Sequence, residues 1–207
     1  MAKVTQAHIE ARKGAILRAA ARMFVRKGVD AATMQEIAAE ADLSAGAIYR
    51  YFPSKDDLLR AVCGGAVDAT REMFDRATAT TSSARAALHE IGTAAWAKLS
   101  DPASREDVML GLESTLAAVR QGDVLGDERR QVNRAIIEML TGLIREAQAS
   151  GEIDAGVDAD ALAATLLACH LGTGLLALQL GGEVDTDAIH EVVAHVIDRL
   201  APAASRS

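Results

Sequence analysis

Residues 33–55 read TMQEIAAEADLSAGAIYRYFPSK, and this stretch decides the fold. Thr33 and Glu36 form a capping box: the threonine hydroxyl accepts from the Glu36 amide, and the carboxylate reaches back to the Thr33 amide. A helix of about two turns follows. Asp42 and Leu43 lead to a second N-cap residue, Ser44. The spacing predicts a second short helix from Ser44 to Phe52, stopped by Pro53. Two short helices joined by a tight turn make a helix-turn-helix. Ile37, Ala38 and Ala41 face inward on the first helix, Ile48 and Phe52 on the second, and Leu43 closes the turn. Ala45, Gly46, Ala47, Tyr49 and Arg50 are left to point outward. The first turn of the second helix is nearly bare, so its backbone can approach a groove closely, and Tyr49 and Arg50 supply a hydroxyl and a forked cation. Lys55 falls in the first turn of the next helix, against the helix dipole, and a nearby phosphate would explain it there. This is the pattern of a helix that enters the DNA major groove while neighbouring helix starts hold the backbone.

Thr33, Ile37-Ala38, Leu43-Ser44, Gly46, Ile48-Tyr49, Tyr51-Phe52, Lys55 and Leu58, with Ile16-Leu17, Ala19-Ala20, Met23-Phe24 and Gly28 upstream, are together similar to the DNA-binding domain of the tetracycline-repressor (TetR) family. The resemblance is specific over residues 10–60 and architectural beyond them. Three positions depart from the usual pattern: Ala32 where threonine is common, Asp42 where glycine is common, and Ala47 where threonine or serine is common. Two lost hydroxyls thin the expected DNA contacts. Asp42 tolerates a left-handed turn. The resemblance implies a DNA-binding regulator that pairs as a homodimer and carries an effector pocket in its C-terminal domain.

Composition agrees with an all-α chain. Half of the 207 residues are hydrophobic and only 3% aromatic. No segment shows the alternation of a strand. The expected architecture is about nine helices: a three-helix helix-turn-helix domain over residues 1–60, then a helical ligand-binding and dimerisation domain over 61–207. The net charge of −7 is uneven, +3 over residues 1–60 and −10 over the remaining 147. An acidic body confines phosphate contact to the basic end. Cys63 and Cys169 have no metal spacing and are expected as free thiols. Charges run through residues 1–25, unlike a secretory signal, so a cytoplasmic location is expected.

Residues 1–7 are expected to fray. A helix from His8 to Lys27 shows Ile16, Ala20, Met23 and Phe24 on one face and Arg12, Lys13, Arg18, Arg22 and Arg26 on the other; Gly28 stops it. Ser54 and Asp57 cap the next helix, a candidate lever between DNA and effector. Gly64-Gly65 inside it mark either a joint or a helix end at Cys63. Further helices are expected over 84–100, over 104–122 from a Ser104–Asp107 cap to Gly122, and over 127–149. His89, Trp96, Met109, Met139 and His170 are candidate linings of an apolar pocket, because polarizable methionines and one large aromatic suit a variable ligand. The same residues also fit ordinary core.

Residues 161–182 carry no charge. That length could span a bilayer, but acids flank it on both sides and no aromatic or basic residue anchors it. Leu162, Leu166, Cys169, Thr173, Leu176 and Leu180 step as a seam for another helix. Ala164, Ala168 and Gly172 make a small-residue stripe on a second face. A final helix capped by Thr186 adds Ile189, Val193, Val196 and Leu200. Two such helices from each of two chains would form a four-helix dimer interface. The tail after residue 201 is expected to be disordered. The five histidines show no metal spacing, and no catalytic constellation or cofactor motif appears. The partners that the resemblance implies are double-stranded operator DNA, a second copy of the chain and a small, largely apolar effector, and no membrane is expected. The alternative is a helical ligand-binding or scaffold protein that does not bind an operator.

Overall fold

The computed structural model describes residues 6–119 and 124–202, which hold nine α-helices. The helix end expected near Gly122 and most of the tail after residue 201 lie outside the described residues, as do residues 1–5. The chain forms two compact units, Met1–Ala66 with Met109–Arg130, and Val67–Val108 with Gln131–Ser207. A later segment, Met109–Arg130, thus groups with the N-terminal unit.

In the first unit, α1 (Gln6–Lys27) ends at Gly28, whose φ of +78° only glycine adopts without strain. The Gly28 amide donates to the Phe24 carbonyl at 2.8 Å. α2 (Met34–Glu40) starts from the expected capping box: the Glu36 amide donates to Thr33 Oγ1 at 3.3 Å, and the Thr33 amide to Glu36 Oε2 at 3.1 Å. It ends in a Schellman turn. Asp42 takes φ +54°, and the Leu43 amide reaches back to the Ala38 carbonyl at 2.8 Å. α3 is shorter than its sequence suggested, Ala45–Ile48, and continues only as a turn to Tyr51. Ser44 stands at its N-cap in extended backbone, but its hydroxyl makes no capping bond. Ile16, Phe24, Ile37, Ile48 and Leu58 are buried completely and bring α1, α2, α3 and the start of α4 (Lys55–Thr80) around one core. α4 begins as expected, with the Asp57 amide donating to Ser54 Oγ at 3.1 Å. It does not stop at Cys63, since Gly64 and Gly65 lie within the helix.

The second unit takes the rest of α4 and adds α5 (Ala84–Ser100), the start of α6 (Arg105–Val119), most of α7 (Val124–Ala149), α8 (Ala159–Leu180) and α9 (Thr186–Arg199). α6 follows a 3-10 turn in which Asp101 accepts the Ala103 amide at 2.9 Å. The cap of α9 is Asp185, which accepts from the Ala188 amide at 2.9 Å. The expected cap residue Thr186 is buried instead, its hydroxyl 2.7 Å from that of Ser100. Ile144 and Ile153 are fully buried at the centre of this unit's core. α5 packs against both α8 and α9. Gly174 lets α8 come close, because a Cβ there would lie 3.3 Å from Leu99. Neither cysteine is in a disulfide; Cys63 is buried and Cys169 half-buried.

Candidate DNA-reading helix and effector cavity

The first unit presents one short helix outward. Ala45, Gly46 and Arg50 are exposed, and Tyr49 is 49% exposed. Ala47 is the exception. It is only 9% exposed, so its methyl is not offered to a groove as the sequence suggested. Ile48 and Phe52, four apart, are both buried in the first unit's core as expected, although α3 itself ends at Ile48, and Ala47 is buried as well.

Most of the basic residues that could have supported this helix are already engaged. Arg22 and Arg26, one turn apart on α1, hold the two oxygens of Glu40 at 2.9 and 2.6 Å. These contacts, Arg26 first, pull the Glu40 carboxyl below its ordinary range. Lys27 pairs with Glu36. That contact, together with Thr33, holds the Glu36 carboxyl at about 2. Thr33 is exposed, but its hydroxyl belongs to the capping box, where it also donates to Glu36 Oε2 at 3.0 Å. Surface ion pairs each contribute little to stability, about 0–1 kcal/mol. Their larger effect here is to spend positive charge on joining α1 to α2. Among the described residues, no ion pair engages Arg50.

Lys55 has main-chain partners within the unit. Its ammonium donates to the carbonyls of Val29, Asp30 and Ala32 at 2.8, 3.1 and 3.3 Å. An ammonium has three N–H donors, and three carbonyls take them. These carbonyls belong to the connection between α1 and α2, where the end of a helix leaves acceptors without intrahelical partners.

The second unit holds a half-open cavity of about 170 Å³. His89, Trp96 and His170 line it as expected; Met109 and Met139 do not. Met109 groups with the first unit, and Met139 packs against the second unit's core. On α7 it is Ile136 and Leu140, one turn apart, that face the cavity, and α4 contributes Thr70, Met73 and Phe74. His190, not among the expected lining residues, lies on the wall with Val193, Ala194 and Ile197. Their 3-4-7 spacing on α9 was the available signal for that face. The Trp96 ring stacks on His190, centroids 5.4 Å apart at 29°, and meets His170 edgewise at 5.1 Å and 73°. Trp96 is 5% exposed, and its buried indole N–H has no hydrogen-bond partner. Leaving such a donor unsatisfied costs about 1–3 kcal/mol. His89 Nε2 lies 2.9 Å from Asp198 Oδ1, an oxygen that Arg85 also approaches. Among the described residues no group of three or more His, Cys, Asp or Glu could hold a metal ion.

The expected interface residues divide between the inside and the outside. Leu166 and Val193 line the cavity, Thr173 is buried with its hydroxyl on the Cys169 carbonyl at 2.7 Å, and Leu162 and Leu200 pack against the core. Cys169 and Ile189 are half-buried. Leu176, Leu180 and Val196 are exposed, joined by Leu175 and by Val192, which is 65% exposed. The exposed face of α8 is therefore the small-residue stripe Ala164-Ala168-Gly172 running into these leucines, with part of the leucine-rich seam turned inward.

Residues 16–62 match the profile of bacterial regulatory proteins of the tetR family, and residues 84–202 match that of the BetI-type transcriptional repressor C-terminal domain. The chain is 28% identical over 204 residues to the HTH-type transcriptional repressor BepR of Brucella suis, covering 96% of this chain and 97% of that protein. It is 34% identical over 74 residues to the HTH-type regulator YfiR of Bacillus subtilis, 36% of each chain. The crystal structure of a TetR transcriptional regulator from Chloroflexus aurantiacus superposes with a TM-score of 0.80 at 22% identity, over 96% of this chain and all of that one, a likeness of fold. An exposed α3 tip followed by exposed Tyr49 and Arg50, the capped hairpin that holds them and profiles matched along both parts of the chain agree: the chain belongs to the TetR family of helix-turn-helix DNA-binding transcriptional regulators.

Proposed function

We propose that this regulator is a homodimeric repressor that binds a near-palindromic operator and releases it when a small, largely apolar molecule enters the cavity. The observation that carries the DNA half is the α3 surface: Ala45 and Gly46 leave the tip bare, with Tyr49 and Arg50 exposed one turn on. Arg50 reads a base, with bidentate contact to guanine as its geometry, while Thr33, Ser44 and Tyr49 meet the backbone. The unused cap hydroxyl of Ser44 supports that role. Lys55 acts one step back, by holding the α1–α2 connection.

Exposed Leu175, Leu176 and Leu180 on α8 and Val192 and Val196 on α9 support pairing with a second copy. α8 has the length and composition of a membrane span. We read it as an interface helix, because Ala163, Leu167, Thr173 and Gly174 are buried against the chain's own helices and Asp158 and Asp160 open it. Two-fold pairing places half-sites about one helical turn of DNA apart, or a multiple of it. BepR is itself a repressor, which supports repression over activation. α4 carries Lys55 at its start and the cavity residues Thr70, Met73 and Phe74 further along, so it is the lever for a coupling of about 1–3 kcal/mol between ligand and DNA. The reading includes no catalytic reaction and a cytoplasmic location beside the DNA.

The test is binding of the purified full chain to its own upstream DNA over a salt titration, with footprinting. The expected result is a protected, near-palindromic site and an affinity that falls steeply with salt. Equal binding to unrelated duplexes would instead support a helical ligand-binding protein without an operator.

A further inference from the structure

We infer that α4 carries a hinge at Gly64–Gly65, about which the DNA-reading unit turns relative to the unit that holds the cavity. The inference rests on the reading of α4 as a lever and says where that lever bends.

The ordinary reasons for glycine do not apply to this pair. Gly64 and Gly65 end no helix, since α4 runs unbroken from Lys55 to Thr80. Neither takes the positive φ that Gly28, Gly151 and Gly181 take. Neither makes room for a neighbour: among the described residues, no atom lies within 4 Å of a Cβ built at either position. Gly92 and Gly174 are the contrast, with His190 Nε2 at 3.1 Å and Leu99 at 3.3 Å from theirs. Two adjacent glycines weaken a helix interior relative to alanine, because they have the most backbone freedom to lose and leave the main chain open to water. The turn of α4 that holds them therefore bends at lower cost than the turns beside it.

Their place gives that weakness a use. The opening segment of the first unit ends at Ala66, and the second unit begins at Val67. Before the glycines, α4 is fixed among the reading helices: Leu58, Leu59 and Cys63 belong to the first unit's core, and Lys55 holds the α1–α2 connection. After them, Thr70, Met73 and Phe74 stand on the cavity wall. A bend at residues 64–65 thus divides the DNA half of α4 from its ligand half. α7 also passes from one unit to the other, between Arg130 and Gln131, but has no glycine between Gly126 and Gly142. α6 crosses between Val108 and Met109 with one glycine nearby, Gly111, beside the Arg129 guanidinium. Only α4 has a glycine pair at its crossing.

The test is the double variant Gly64→Ala/Gly65→Ala, with Gly142→Ala as control. Gly142 is also inside a helix, with no described atom within 4 Å of its Cβ, but lies away from the crossing. Hydrogen exchange of the full wild-type chain is expected to show the amides of residues 65–69, which bond back across the glycines, opening at least about tenfold more readily than those of 60–63 and 71–75. The double variant is expected to erase that difference. Both variants are expected to melt higher than wild type, by roughly 2–4 °C per alanine. Only the double variant is expected to bind the footprinted upstream duplex less tightly, by about fivefold or more, because a stiffened joint no longer lets the reading unit settle onto its site. Equal protection of 65–69 and the flanking turns in wild type would overturn the hinge whatever the chain does with DNA. So would a lower melting temperature for the double variant, which would make the glycines a close crossing, or an unchanged DNA affinity. A wild type without site preference would overturn the regulator reading, and the exchange result would then decide the hinge alone.

Discussion

The ammonium of Lys55 donates to the carbonyl of Val29 at 2.8 Å, the shortest of its three bonds to the α1–α2 connection. A residue whose position suggested a phosphate contact is thus tied to main-chain oxygens. Lys55→Met is expected to cost about 1–3 kcal/mol of stability, because carbonyls lose a charged donor. Folded Lys55→Met is expected to keep the salt dependence of DNA binding. A slope reduced by about one unit would return Lys55 to the phosphate.

Arg50 is the opposite case, an exposed guanidinium with no ion pair among the described residues. Arg50→Ala is expected to lose about 1–3 kcal/mol of operator affinity and to relax preference at one base position in each half-site. Competition binding against single-base operator variants checks this. Unchanged preference would remove Arg50 as a base reader.

Glu36 ties the capping box to pH. Lys27 and Thr33 lower its carboxyl from an ordinary value near 4.5 to about 2. A depressed acid contributes stability above its unfolded value and loses it as pH falls towards its folded value. Its contribution is therefore present above about pH 4.5 and is lost between there and about pH 2. Denaturant melts at pH 6 and at about pH 2.5, with Glu36→Gln as control, are expected to show the wild type losing more on acidification than the variant. The effect is small, because the carboxylate is open to solvent.

Gly92 holds room for His190. A Cβ at residue 92 would lie 3.1 Å from His190 Nε2. Gly92→Ala is expected to tilt the imidazole out of its stack with Trp96 at a cost of up to about 1.5 kcal/mol. Trp96 emission is expected to shift, and ligand affinity to change more than the melting temperature. Unaltered emission would show that the imidazole yields elsewhere.

Val192, 65% exposed, tests the pairing surface without disturbing the core. Val192→Asp is expected to melt like wild type but to sediment as a monomer, with operator binding reduced at least about tenfold through lost bivalency. A dimer that persists would move the interface away from α9.

Much of the N-terminal unit was legible in the sequence because its determinants are local. The capping box at Thr33, the left-handed turn at Asp42 and the Gly28 stop each act within a few residues of chain. α3 was less legible. Its inward face is set by how α2 receives it, so Ala47 turned inward although its neighbours in sequence gave no sign. The cavity was legible for His89, Trp96 and His170, and not for Met109 and Met139. A methionine reports only that a space is irregular and apolar, not which space it faces.

α8 shows where the division lies. Its sequence alone determined a long helix, uncharged over residues 161–182, that needs cover on more than one side. Only the tertiary structure decided that Leu166, Leu167 and Thr173 turn inward and that Ala168, Gly172 and Leu176 stay exposed. Caps and stops are satisfied by hydrogen bonds to neighbours in sequence, so the sequence can announce them. Burial is set by residues scores of positions away, and a helix apolar on every side carries no mark of which side they will cover.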